Sequence, residues 1–516
     1  MSHTIADTAF ATIADCVRRH AGQAPQRLAL TDASSALDYA ALDARMDRVA
    51  AALQRDGVRP GDVIVVCANT SVDYAVLFLG ALRAGVVVAP LAPGAEAESL
   101  RRMADDAQAV RLFVDAGTAP VFAEHVQARP LVRLDTGFEA WLAPAGSVPT
   151  AVATASEAPF NIIYSSGTTG EPKGIVQSHG MRWAHVRRGL PYGYGPDAVT
   201  LLATPLYSNT TLVAFFPSLA YGGRAVLMSK FDARAYLQLA EQVRATHTML
   251  VPVQYQRLMA HADFGRFDLS AFRMKLCTSA PFPAAVKADV LARWPGGLVD
   301  SYGLTEGGGT CVLEAHKFPD KLHTVGRPAA GHDIRLIDAA GAEVAPGEAG
   351  EVVGRSPGMM SGYQRRPDLT REVEWFDAQG QRFLRTGDIG RFDADGFLIL
   401  LDRRKDMIIS GGFNIYPSDL EAQLCAHPAV AEAAVVGVPS PQWGETPVAF
   451  VVRRAGHDEG AEALRSWLNE RVGKIQRLAA LHLTDVLPRS PIGKVLKREL
   501  RDRHTAQNKN DSRSDR

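Results

Sequence analysis

"YSSGTTGEPKG", Tyr164–Gly174, decides how the rest of the chain is read. It follows the apolar "FNII" (Phe160–Ile163), so a strand runs into a soft polar loop. Gly167, Gly170 and Gly174 carry no side chain, which lets backbone N–H groups approach an anion. Ser165, Ser166, Thr168 and Thr169 add hydroxyl donors, and Lys173 adds one mobile positive charge. Placed after a strand, such a loop suits a phosphate. It is not a Walker loop, because no Gly immediately precedes the Lys and no Ser or Thr follows it. Composition alone fits a flexible surface linker equally well.

The surroundings narrow the choice. The chain has 516 residues, more than one compact core usually holds, so two or more domains are expected. It is 47% hydrophobic and 22% charged, as ordinary globular proteins are. Basic and acidic residues balance at 56 each, without the basic excess of a nucleic-acid groove or a membrane-surface binder. The N-terminal "MSHTIADTAFATIADCVRRH" has acids where a signal peptide has a basic start and an apolar core. No apolar run reaches membrane-spanning length: "AVLFLGAL" is broken by Arg83, and "LVAFFPSLAYGG" contains Pro and Gly. Cys16, Cys67, Cys277, Cys311 and Cys425 are odd in number and far apart. They lack metal-ligand or redox spacing and predict a reduced, cytoplasmic protein.

From about residue 60 to 305, short apolar runs such as "DVIVVCA", "VTLLAT", "HTMLVP" and "RMKLC" alternate with helical stretches. This predicts an α/β fold with mainly parallel sheets. Residues 320–400, with "HDIRLID", "GEVVGR" and "GFLILLD", read as a β-rich subdomain. The charge cluster "DRRKD" (Asp402–Asp406) marks an exposed boundary, so a large unit over 1–402 precedes a small α+β unit over 403–504. "SDLE", Ser418–Glu421, has the capping-box pattern that starts a helix. Residues 505–516 are a polar tail expected to be disordered.

The loop has company. "DSYGLTE" (Asp300–Glu306), "RTGD" (Arg385–Asp388), "DRRKDMIISGGFNIYPSDLE" (Asp402–Glu421) and "PRSPIGK" (Pro488–Lys494) follow it in order. Together these motifs resemble the adenylate-forming superfamily of acyl-CoA synthetases, amino-acid-adenylating domains and beetle luciferases. The likeness covers nearly the whole chain. It implies ATP, Mg²⁺ and coenzyme A as co-substrates and cofactor, and a small-molecule carboxylic acid as partner. It also implies a small C-terminal domain that moves.

The resemblance assigns roles. The loop Ser165–Gly170 with Lys173 would close over the β- and γ-phosphates of ATP. A carboxylate and an α-phosphate are both anions, so joining them demands positive charge at the point of attack. Lys494 would supply it. Glu306 would help hold Mg²⁺, and Thr305 would donate to the α-phosphate. Tyr302 would pack on adenine, with Asp300, Ser301 and Gly303 beside it and Asp300 near the exocyclic amine. Asp388 would accept both ribose hydroxyls, with Arg403 adding a charged contact. Gly411 and Gly412 would pass beside the pantetheine tunnel, and Lys405 would be the hinge.

The acyl site departs from the pattern of relatives. Where many aryl-CoA ligases carry a His after an aromatic, this chain has Ser208 and Asn209 after Tyr207. The Asp that binds a substrate amine in amino-acid-adenylating domains is missing. Gly307–Gly309 either leave room in the acyl pocket or serve a loop with unusual dihedrals. Trp183, Tyr207 and Val253 are wall candidates, each of which reads at least as well as core. The leading expectation is an acyl-CoA synthetase acting on a medium- or long-chain fatty acid or an aryl acid. The rival is an enzyme loading a separate carrier protein. A luciferase-type oxygenase fits less well, because Ile409 stands where that group has a Lys. A non-catalytic nucleotide-binding regulator is disfavoured by the intact Lys494, Glu306 and Asp388.

Overall fold

A computed structural model describes residues 8–125, 129–165, 172–404, 406–410, 413–489 and 495–514. The expectations for Ser166, Gly167, Thr168, Thr169, Gly170, Lys405, Gly411, Gly412 and Lys494 lie outside the described residues. The chain divides into two compact units, Met1–Ile334 with Val353–Arg385, and Arg335–Val352 with Thr386–Arg516.

The first unit holds two large sheets, as the alternation of apolar runs and helices predicts. In the nine-stranded sheet, the strands Leu28–Thr31, Arg224–Leu227, Val199–Leu202, His247–Leu250, Met274–Cys277 and Gly297–Leu304 lie side by side and parallel. Antiparallel strands close both edges, Ala36–Asp38 at one and Gly307–Glu314 with Arg327–Pro328 at the other. The seven-stranded sheet has a parallel centre built on Val63–Cys67 and Val87–Pro90. Beside it the hairpin Pro159–Ser165 and Lys173–Ser178 runs antiparallel, with Ser165 opposite Lys173. The phosphate-loop motif therefore connects two hydrogen-bonded strands, which fixes where its ends emerge.

Helices fill the space between the strands. Val72–Arg83 is buried along almost its whole length, as its apolar sequence demands. Its C-terminal Arg83 donates to the Asp43 carbonyl at 2.7 Å and pairs with the carboxylates of Asp43 and Asp47. Next to this helix, Phe78, Phe160 and Phe216 form a mutual aromatic cluster, with ring centroids 5.1–6.0 Å apart. Trp183 is 3% exposed and belongs to the same core, so its core reading holds over that of a pocket wall.

The second unit contains a sheet of Ile408–Ser410, Phe413–Ile415, Val430–Ser440, Gly444–Arg453 and Ala480–Leu483. The helices Pro417–Cys425 and Ala461–Asn469 pack on it through Leu420, Leu424, Leu464 and Leu468. The capping-box expectation is corrected here. Pro417, whose ring presets a helical φ, opens the helix, and Ser418 lies inside it, bonded to the Leu401 carbonyl. Glu421 accepts from Val435 N at 2.8 Å and pairs with Lys497 at 2.9 Å. Asp402 and Arg403 of the charge cluster end a hairpin in which Asp388 faces Arg403. The terminal helix spans Lys497–Ser514, through the stretch expected to be a disordered tail. Leu500 and His504 are buried, and Arg501 pairs with Asp406 at 2.8 Å, so this helix is seeded by packing.

Phe216→Ala is expected to lower stability by about 3–5 kcal/mol, the usual cost of emptying an aromatic site. Urea or guanidinium midpoints at unchanged slope would measure it. A loss below about 1 kcal/mol would mean that the cluster collapses to fill the space.

Candidate active site

In the first unit, several motif residues meet around one tyrosine. The strands Gly297–Leu304 and Gly307–Glu314 form a hairpin whose two connecting residues are Thr305 and Glu306. Gly307 and Gly308 follow at φ +81° and +77°, a region L side chains rarely adopt. The carbonyl of Gly358 fills the space a side chain on Gly307 would need. Of the two readings of this glycine run, unusual dihedrals and close backbone packing account for Gly307.

Both tip residues are held from outside. Met360 N donates to the Glu306 carbonyl at 2.8 Å, and Gln177 Nε2 donates to the Thr305 carbonyl at 2.7 Å. Tyr363 Oη donates to Glu306 Oε1 at 2.9 Å, while Lys173 Nζ lies 5.4 Å from the centre of the Tyr363 ring. Tyr363 itself sits on the strand Gly362–Tyr363, opposite Ile175 of the strand that leaves the phosphate loop. Burial, and next the Glu306 carboxylate, push the Tyr363 phenol well above its ordinary range. It therefore remains a donor. Glu306 Oε2 has no partner among the described residues.

The adenine motif is anchored separately. Asp300 Oδ2 pairs with Lys287 Nζ at 2.7 Å, and both side chains are under 10% exposed. Lys287 also donates to the carbonyls of Leu322 (3.1 Å) and Thr324 (3.2 Å), so its three ammonium protons all have acceptors. Burial pushes the Asp300 carboxyl up, and Lys287 opposes that. One oxygen of the expected adenine contact is thus already committed to a buried cation. Ser301 offers its carbonyl to Thr278 Oγ1 at 2.7 Å. The next residue, Ser279, has φ +85° and shares a 2.5 Å hydrogen bond with Thr210. Tyr302 is half-buried and Gly303 is exposed.

The acyl-site candidates fall into different roles. Ser208 is buried and caps the helix Asn209–Ala220, accepting from Thr210 N at 3.3 Å. Asn209 Oδ1 accepts from Arg182 Nη1 at 2.8 Å. Tyr207 and Val253 are half-buried. Arg182 has 1% exposure and three neutral partners: Asn161 at 3.0 Å, Asn209, and Gln177 through a short bond. Burial pushes its proton affinity down to about 9.

In the second unit, Asp388 Oδ1 pairs with Arg403 Nε at 2.6 Å across the strands Arg382–Phe392 and Leu398–Arg403. Asp388 N is held by Thr386 Oγ1 at 3.0 Å. The two expected ribose contacts therefore share one cross-strand position.

Sequence reading missed Gln177, Arg182, Lys287, Thr278, Ser279 and Tyr363. None lies in a quoted motif. Only Lys287 leaves a trace, a lysine among the apolar positions of "AAVKADVLAR".

Comparison with known proteins places this geometry. A model of the AMP-binding enzyme family matches residues 17–364, and its C-terminal domain model matches 419–494. The chain is 35% identical over 500 residues to a feruloyl-CoA synthase of Amycolatopsis sp, covering 94% of this chain and 97% of the relative. It is 31% identical over 504 residues to the fatty acid–[acyl-carrier-protein] ligase ScoC of Streptomyces coeruleorubidus, covering 95% and 96%. The crystal structure of ATP-bound MatB from Rhodopseudomonas palustris superposes with a TM-score of 0.86 at 30% identity, covering 95% and 99%.

Lys287→Met is expected to cost about 3–5 kcal/mol, because it strands a buried carboxylate. Adding Asp300→Asn should recover much of that loss. Denaturant midpoints of the single and double variants measure both. A Lys287→Met protein as stable as the parent would show that the pair is not the anchor of this strand.

Proposed function

The chain belongs to the AMP-binding enzyme family of adenylate-forming enzymes, and from that premise we propose that it is an acyl-CoA synthetase. It joins a carboxylic acid to AMP at the expense of ATP, releasing pyrophosphate, and then transfers the acyl group to the thiol of coenzyme A. The observation that carries this reading is the convergence of Lys173 and Glu306 on Tyr363, with Thr305 next to Glu306 at the hairpin tip. One cation and one carboxylate share a single tyrosine, beside the strand that leaves the phosphate-loop motif.

The steps follow from charge. Lys173 and the loop hydroxyls hold the outer phosphates of ATP. Thr305 donates to the α-phosphate at the hairpin tip, where its backbone is pinned through Gln177. The residues suit Mg²⁺: Glu306 has one carboxylate oxygen left, and this ion is commonly held by one or two carboxylates, phosphates and water. Once bound, the ion neutralises phosphate charge. Lys494 brings positive charge to the meeting of carboxylate and α-phosphate. Asp388 and Arg403 take the ribose. Thiol attack needs the same space afterwards, so the domain turns at Lys405 and brings Gly411 and Gly412 alongside the pantetheine.

For the acid, the absence of an amine-binding Asp favours a substrate without an α-amine. The likeness to a feruloyl-CoA synthase favours an aryl acid over an aliphatic one. Loading of a separate carrier protein is a second reading, supported by the likeness to ScoC. Thioester formation assayed with coenzyme A against a carrier's phosphopantetheine distinguishes the two.

Pyrophosphate exchange with a panel of acids tests the reading itself. Aryl acids should give the fastest exchange, and free amino acids doing so would sink it. Lys494→Ala should lower adenylation by about a hundredfold or more. It should still convert supplied acyl-adenylate and coenzyme A to thioester. Equal loss in both half-reactions would remove the assigned role.

A further inference from the structure

A helix that no motif accounts for reaches the strand that follows Glu306. The helix His179–Arg188 places Arg182, His185 and Arg188 three residues apart on one face, while Arg187 is exposed. Arg188 Nη1 donates to Thr310 Oγ1 at 2.8 Å. Thr310 lies opposite Gly303 of the adenine motif and directly follows Gly307–Gly309. Thr310 N donates to His332 Nδ1 at 2.9 Å, which leaves the proton of that imidazole on Nε2. His185 Nε2 is 3.6 Å from the point where a Cβ on Gly358 would stand. Its Nδ1 is buried and has no hydrogen-bond partner.

These groups share two properties. Arg188, His185 and His332 keep partial accessible surface, yet burial is the largest influence on each of them. Geometry places them together: Arg188 and His332 both bond Thr310, and His185 stands beside Gly358, whose carbonyl abuts Gly307. Second, the groups offer donors and no counter-charge. Among the described residues, no carboxylate pairs with Arg188, whose one protein acceptor is the Thr310 hydroxyl. Glu314, nearby on the same strand, is taken by Lys317 at 2.7 Å. Arg182 is different, because three amide side chains already satisfy it.

We propose that this end of the acyl site receives a second carboxylate. It would be carried by the substrate acid at the end remote from the group being activated. Arg188 is its counter-ion and His332 Nε2–H a further donor. The proposal rests on the acyl-CoA synthetase reading above and narrows its substrate to acids with two anionic ends. A largely desolvated guanidinium without an anion beside it is costly, and a carboxylate matches its planar fork with two acceptor oxygens. A neutral hydroxyl would leave the charge uncompensated.

The test is pyrophosphate exchange with matched acids. Para-carboxycinnamate is compared with its para methyl ester, with para-hydroxycinnamate and with cinnamate. Suberate is compared with its monomethyl ester. The two-anion acid should be favoured in kcat/KM by about tenfold or more, with the difference mainly in KM. Arg188→Met should abolish that preference and Arg188→Lys should keep part of it, with folding checked by thermal melting and ATP binding. If Arg188→Met does not fold, the wild-type panel and Arg188→Lys decide. The proposal is overturned if the wild type handles the ester, hydroxy or unsubstituted acid as well as the diacid. It is also overturned if Arg188→Met retains the preference. Exchange with none of these or any other acid would instead remove the synthetase reading, and this proposal with it.

Discussion

One buried guanidinium ties the catalytic surface together. Arg182 bonds Asn161 on the strand that enters the phosphate loop and Gln177 on the strand that leaves it. Those two residues face each other across the hairpin and also bond at 3.1 Å. Through Asn209, Arg182 reaches the first turn of the helix Asn209–Ala220, and through Gln177 it reaches the carbonyl of Thr305. A charged hub with only neutral partners is costly to bury, so each amide must be held in place to make the arrangement tolerable. The flanking rings of Phe160 and Phe216, 5.7 and 5.8 Å away, add favourable faces for the cation. The strands Pro159–Ser165 and Lys173–Ser178 and the Thr305–Glu306 tip are consequently coupled by a side chain only 1% exposed.

The same logic recurs nearby. Lys287 anchors the strand Gly297–Leu304 through Asp300, and Tyr363, whose ring faces Lys173, fixes Glu306. In each case a residue outside the motif sets the orientation of one inside it. Buried hydrogen bonds to charged groups orient strongly because the alternative is an unsatisfied charge. The positive φ of Ser279 belongs to this pattern, since backbone strain persists where surrounding contacts over-determine it.

This division explains what the sequence could and could not reveal. The parallel sheets were legible because apolar runs and helical stretches alternate at regular intervals. The family was legible because its motifs are local: glycines, hydroxyls and a lysine within one loop, followed by four more short motifs in order. The orienting residues were not, because their partners are remote in the chain. Gln177 and Thr305 are 128 positions apart, and Tyr363 and Glu306 are 57 apart. The "SDLE" reading failed for a local reason, since Pro417 had already started the helix that Ser418 was expected to cap. The glycine run after Glu306 was ambiguous until the backbone of Gly358 was seen to occupy the space beside it.

The close approach of Gly307 to Gly358 has a consequence for how such an enzyme can diversify. A wall made of two touching backbones tolerates almost no substitution, so it is a poor place to change acid preference. The helix His179–Arg188 is the reverse. Its backbone is secured by the Ser178 cap and by the buried Met181, Trp183 and Val186, so positions 185 and 188 are not needed to hold the helix in place. On the synthetase reading, adaptation to a new acid would meet a rigid backbone contact at Gly307 and a more replaceable pair of side chains at positions 185 and 188.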